Sequence, residues 1–127
     1  MIVLGLSGAV SHDASAALYV DGELVAAVEE ERFLRDKHAK GKMPYEAVKF
    51  CLKQTGIKPS DIDVVAFPFA EIGLKSPARW HYAKRHWYAP DRAFTALFAG
   101  NRRYWRNHKN VMKMLDDLDI GSQRVKF

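Results

Sequence analysis

Apolar positions fall in short runs at the start of the chain and at helical spacing later. Ile2 to Ser7 (IVLGLS) is short, apolar and β-branched at its start, which predicts a buried strand. Small and polar residues from Ala9 to Ser15 predict a loop. Ala16 to Val20 (AALYV) reads as a second strand and Glu23 to Val28 (ELVAAV) as a third. Between them stands Asp21-Gly22, a dipeptide suited to a two-residue hairpin turn in which both residues need positive φ. The expectation is an antiparallel three-strand meander over residues 2–31.

The periodicity then changes. Residues 34–42 (LRDKHAKGK) are polar and predict an exposed loop. Pro44 suits the first turn of a helix, Ala47, Val48, Cys51 and Leu52 recur at helical spacing, and Gly56 ends the run. A helix near 44–55 follows. Val64 to Phe67 reads as a fourth strand, stopped by Pro68, and the strand–helix–strand order predicts that it runs parallel to a strand of the meander. Residues 77–118 are read as mainly helical, with Val111, Met112, Leu115 and Leu118 on one face. Arg124 to Phe127 (RVKF) reads as a strand just beginning where the sequence stops, which predicts a piece of a longer protein. The expected parts are 1–70 (meander, helix and fourth strand), 71–122 (helical insertion) and 123–127 (start of a further strand).

Composition adds limits. There are 127 residues, 48% hydrophobic and 28% charged, an ordinary globular mix in a single-domain length. One cysteine, Cys51, allows no intrachain disulfide and suits a reducing cytoplasm. No apolar run has the length of a membrane span, and no basic leader precedes Ile2, so no membrane partner is expected. The net charge of +5 is concentrated: residues 75–110 carry nine Lys/Arg against one acid, Asp91.

Three constellations could carry chemistry. The first is Ser11-His12-Asp13, in the loop between the first two strands. His12 titrates near neutral pH among small neighbours and can move a proton, and Asp13 can orient it or cap a backbone amide. The plain alternative is an idle surface turn. The second is Glu29-Glu30-Glu31-Arg32-Phe33, which could hold a cation or pair with Arg32 and Lys37. Its plain alternative is a solvated strand end. The third is residues 79–106, where Arg79, Lys84, Arg85, Arg102, Arg103 and Arg106 are interleaved with Trp80, Tyr82, Trp87, Tyr88, Tyr104 and Trp105. Bases and aromatics together can hold a nucleic-acid strand or dock an acidic partner. A helical hairpin with buried aromatics and wet arginines explains them equally. His81 and His86 are five apart, which is not the spacing of ligands on one helical face, and no metal site is read here. Neither a G-x-x-x-x-G-K-[ST] nor a G-x-G-x-x-G motif occurs, since Gly5-Leu6-Ser7-Gly8 has the wrong spacing. The nucleotide-contacting residues stay unknown.

The opening LGLS, the loop HDASAAL, the hairpin VDGELVAAVEEERF, the following RDKH and the Pro-led helix ending at Gly56-Ile57 occur in order. Residues 2–70 so composed resemble the carbamoyltransferase family, which includes nodulation-factor and antibiotic O-carbamoyltransferases. The resemblance over 71–118 is loose. It implies an α/β fold, a partial actin/sugar-kinase/Hsp70-like (ribonuclease H-like) domain. It also implies that carbamoyl phosphate and ATP give a carbamoyl-adenylate, whose carbamoyl group passes to a hydroxyl of a sugar or other natural product. His12 and Asp13 match the family's HD loop at the transfer site. A divalent metal, iron or similar, is implied for the whole protein, with ligands beyond Phe127, and the fragment alone would be inactive. The implied partners are the small-molecule acceptor and a C-terminal domain of the same protein. Self-association of the open fragment is also expected. An ATPase or sugar kinase of the same fold is the first rival, disfavoured because positions 2–8 hold no acid. A nucleic-acid module on residues 75–110 is the second.

Overall fold

The computed structural model describes residues 1–8, 13–68, 76–99, 102–121 and 125–126. It divides into two compact units, Met1–Pro68 with Asn107–Phe127, and Phe69–Arg106.

The first unit is built on a sheet of order β3-β2-β1-β4-β5. β1 (Ile2–Ser7), β2 (Ser15–Val20) and β3 (Glu23–Glu29) form the antiparallel meander. Both residues of the connecting turn take positive φ, 51° at Asp21 and 90° at Gly22, as a two-residue hairpin requires. The Met1 ammonium pairs with the Asp21 carboxylate beside that turn. β4 (Val64–Ala66) runs parallel to β1, and β5 (Val125–Lys126) parallel to β4. The expected strand–helix–strand crossover is therefore present.

The pleat sorts the strand residues. Leu4, Leu6, Ala16, Leu18 and Val65 are buried on one side. Helix α2 (Tyr45–Thr55) packs against β2 and β3 with Ala47, Val48, Cys51 and Leu52 buried. Burial pushes the Cys51 thiol above its ordinary range, so the sulfur is a small core group rather than a nucleophile. Gly56 closes α2 in the left-handed region, φ 71°, which supplies the expected stop.

The start of α2 has no side-chain cap of its own, because Pro44 precedes it. The buried carboxylate of Glu30 does that work from the end of β3. It accepts from the amides of Glu46 at 3.1 Å and Ala47 at 2.8 Å, while the Glu30 amide donates to Ala14 at 2.8 Å. A negative charge on otherwise unpaired N–H groups at a helix start is favourable on both counts. The plain alternative of a solvated strand end at residues 29–33 therefore fails at Glu30, which is buried. It holds for Glu29, whose carboxylate sits 3.9 Å from Arg32 at the surface.

The polar stretch 34–42 is more ordered than a loop. The one-turn helix α1 (Glu31–Leu34) ends at the first residue of that stretch, and a 3₁₀ turn follows at Lys37–Ala39. Later come α3 (Pro77–Arg85), α4 (Pro90–Phe94), a π-helical turn at Thr95–Ala99 and α5 (Arg102–Asp117). On α5 the buried apolar face is Val111, Met114 and Leu115, so Met114 takes the place expected for Met112. Within the first unit the Tyr45 hydroxyl donates to the Asp117 carboxylate at 2.7 Å, tying α2 to α5.

The second unit departs from the expected burial at its aromatics and at Arg79. Trp80, Trp87, Tyr88, Phe94, Phe98 and Trp105 are exposed, whereas Arg79 is buried and its guanidinium donates to the Leu97 carbonyl at 2.8 Å. Arg85, Arg92 and Arg106 are exposed as expected, so the departure lies in the unburied aromatics and in Arg79.

Glu30→Ala should lower unfolding stability by about 2 kcal/mol, through two orphaned amides and a lost cap. Urea titration measures this, and an unchanged midpoint would refute it. Burial first, and then the Asp117 bond, push the Tyr45 phenol up to about 12. A raised folded pKa gives stability that is whole below the unfolded value of about 10 and lost as pH rises toward 12. Melting curves across that window should show the loss in the wild type and not in Tyr45→Phe.

Candidate functional site

The site is built where the meander's first loop leaves the sheet. β1 ends at Ser7 and β2 begins at Ser15, paired with each other in the ladder. In sheets with parallel strands, ligands gather beyond the carboxyl ends, and β1 and β4 share that direction here. Away from α2, small side chains line up across strands: Gly5 is paired with Ala17 and with Ala66. They line an open cavity of 570 Å³ together with Ser7, Ser15 and Pro68. Larger residues on these strands would fill it.

Gly8 sets the exit of the loop. Its φ is 133°, and a Cβ there would stand 2.9 Å from the Lys42 carbonyl oxygen and 3.0 Å from the Ala14 Cβ. The backbone of the 36–42 turn therefore lies against the base of the loop. Residues 9–12, including the candidate His12, fall outside the described residues.

Asp13 is described, and both its amide and its carboxylate have partners. Its amide donates to the His38 carbonyl at 2.7 Å, and its carboxylate lies 2.8 Å from His38 Nδ1. The His38 amide in turn donates to the Glu31 carboxylate at 2.8 Å. An ionised carboxylate only accepts, so the Asp13 contact places a hydrogen on Nδ1. Asp13 (φ 64°), His38 (φ 67°) and Ala39 (φ 39°) all take the left-handed region that non-glycine residues avoid. Of the two expected site residues, then, Asp13 is fastened to a second histidine that was assigned to an exposed loop. The RDKH string carries that histidine, and the string is the one signal in the sequence that points to it.

Among the described residues no three His, Cys, Asp or Glu side chains come together as metal ligands. The described part of the second unit has its own cavity of 490 Å³, lined by Ala78, Arg79, Tyr82, Asp91, Arg92 and Thr95. Tyr82 stacks on His86 there at 4.0 Å between ring centres.

Residues 2–123 match the family described as Carbamoyltransferase N-terminus. The chain is 41% identical over 81 aligned positions to the nodulation protein NolNO of Sinorhizobium fredii, covering 53% of this chain and 12% of that protein. It is 45% identical over 65 positions to the uncharacterized protein sll1178 of Synechocystis, covering 51% and 10% respectively. An uncharacterized 19.2 kDa protein of Rhizobium etli is 37% identical over 81 positions, covering 53% of this chain and 47% of its own length. The chain thus spans about an eighth of the first of these relatives and under half of the third.

Gly8→Ala should destabilise the fold by about 1–3 kcal/mol, from left-sided backbone strain plus the contact with Lys42. Thermal unfolding of the purified chain reads it. A melting temperature equal to wild type would show that the 36–42 turn yields freely.

Proposed function

The chain belongs to the carbamoyltransferase N-terminus family, and from that premise we propose that it is the first part of an O-carbamoyltransferase whose HD loop serves the transfer step. The observation that carries this reading is the Asp13–His38 contact of 2.8 Å, which fastens the residue next to His12 at the carboxyl end of β1. A reacting loop gains from being held, because positioning of the reacting groups accounts for much of enzymatic rate.

The proposed substrates are carbamoyl phosphate and ATP. Water cleaves carbamoyl phosphate to carbamate and phosphate. A carbamate oxygen then attacks the α-phosphorus of ATP, displacing pyrophosphate, to give a carbamoyl-adenylate. The acceptor is a small molecule bearing a hydroxyl. In the transfer step the hydroxyl oxygen attacks the carbamoyl carbon. The bond from that carbon to the adenylate phosphate oxygen breaks, and AMP leaves with its electron pair. The hydroxyl proton goes to His12. A histidine suits this task because its ordinary pKa lies near neutral. A C-terminal domain of the same protein is the proposed seat of adenylate formation and the main partner. A divalent metal bound by residues beyond Phe127 belongs to the same proposal.

The fold assignment proposed is the actin/sugar-kinase/Hsp70-like, ribonuclease H-like class. The order β3-β2-β1-β4-β5, with an antiparallel meander continued by parallel strands, supports it. No described helix is long and apolar enough to cross a membrane, and a cytoplasmic location is proposed. The nine cations of residues 75–110 are read as drawing anionic substrates or docking against the remainder of the protein.

His12→Asn in the full-length enzyme should lower carbamoyl transfer by roughly 10²–10⁴-fold and leave adenylate formation intact. Asparagine keeps polarity and approximate size but takes up no proton near neutral pH. Two assays on one protein decide it: adenylate formation from ATP and carbamoyl phosphate, and transfer to the acceptor. Wild-type transfer by the mutant would remove His12 from the chemistry. Loss of both half-reactions with a lowered melting temperature would make it structural.

A further inference from the structure

The geometry points to His38 as a positioning residue that acts through Asp13 on the HD loop, an inference that rests on the transfer role proposed for that loop. Four observations meet at this place. The Asp13 carboxylate lies 2.8 Å from His38 Nδ1. The two backbones are joined as well, Asp13 amide to His38 carbonyl at 2.7 Å. Glu31 holds the His38 amide at 2.8 Å. Asp13 and His38 both sit in the left-handed region, at φ 64° and 67°. A non-glycine residue keeps such a backbone only where its surroundings over-determine it, and sites of this kind gather where function needs a fixed geometry.

The clasp is a directional device. Its side-chain bond joins a donor on one turn to an acceptor beside His12 on another, across 25 positions of sequence. Both side chains are about half exposed, so the bond does not serve to fill a core. An exposed ion pair is worth little to stability, which leaves orientation as its principal effect. Asp13 cannot rotate freely while Nδ1–H occupies one of its oxygens, and the peptide it shares with His12 is held from the same point. Glu31 closes the arrangement from the other side, and Glu30 next to it anchors the segment on α2. Asp13 is thereby referred to the helix layer rather than to the strand ends alone.

Two substitutions at one position separate donor from backbone. Asparagine tolerates the left-handed region, and its side-chain N–H₂ stands near the position of Nδ1. Glycine tolerates the same φ and has no donor. In the full-length enzyme, His38→Gly should lower kcat for carbamoyl transfer on the order of 10²-fold, the effect of a misplacement near 1 Å. KM for the acceptor and the rate of adenylate formation should hardly move. His38→Asn should restore kcat to within a few-fold of wild type. Should the glycine variant fail to fold, Asp13→Gly removes the same bond from the other side at a φ that suits glycine, with the same loss expected.

Equal, near-wild-type kcat for the two His38 variants would overturn the inference, since the clasp would then not matter. Equal loss in both would also overturn it, and would make the imidazole itself a reacting group. The tautomer of His38, read from long-range ¹H–¹⁵N correlation spectra of the wild-type protein, gives an independent test. A hydrogen on Nε2 rather than Nδ1 would refute the clasp whatever the enzyme does. Absence of transfer by the wild type, with Nδ1–H in place, would instead refute the transfer reading and leave the clasp standing.

Discussion

One buried carboxylate joins the parts of the first unit that the site needs. Glu30 ends the meander, and both of its side-chain oxygens are spent on the first turn of α2. A helix led by proline has no N-cap side chain of its own here, so its leading amides would otherwise be left unpaired within the core. A charge brought from another element satisfies them and fixes where α2 begins relative to β3. The Glu30 amide, bonded to Ala14, fixes the same point relative to the start of β2. Helix register, strand end and loop exit are thus set by a single residue with bonds in three directions.

Its neighbour faces outward and does the complementary work. Glu31 accepts from the His38 amide, and His38 reaches Asp13. Consecutive acids in one short string therefore have opposite roles, one capping a helix from within and one steadying a surface turn. The small residues Gly5, Ala17 and Ala66 leave room on the sheet face away from α2. Held loop and open face are consequences of different parts of the pattern. The first comes from charged residues placed at turns, and the second from omitting bulk on alternate strand positions.

The regular elements of the first unit were legible because their causes are local. Asp21-Gly22 demands a hairpin, Gly56 demands a helix end, and the 2.0 and 3.6 periodicities show through Leu4–Leu6 and Ala47–Leu52. The HD loop was legible as a candidate because its residues resemble a known family. What stayed hidden depends on distance in sequence. Nothing local to Glu30 tells that its carboxylate turns inward to amides 16 and 17 positions away. Nothing local to His38 tells that its ring meets Asp13, since a run such as RDKHAKGK looks like solvated loop. Long-range polar bonds leave no periodicity, so composition and spacing pass over them.

The second unit fails the same kind of reading for a different reason. Aromatic residues at helical spacing suggest a core, yet most of those between Phe69 and Arg106 are exposed. A unit this short lies below the roughly 40 residues at which a chain encloses a core of its own, so it cannot hide that many large rings. Arginine then becomes the better interior residue at one position. The long stem of Arg79 fills space while its fork is satisfied by the Leu97 carbonyl. The exposed rings are first a consequence of unit size, and their exposure alone does not identify a ligand. On α5 the buried amide of Asn107 finds no hydrogen-bond partner among the described residues, on the same face as Val111 and Met114. An unpaired amide in an apolar stripe costs stability that an isosteric apolar residue would not. Its presence marks α5 as a helix whose packing is not optimised for the stability of the described residues alone.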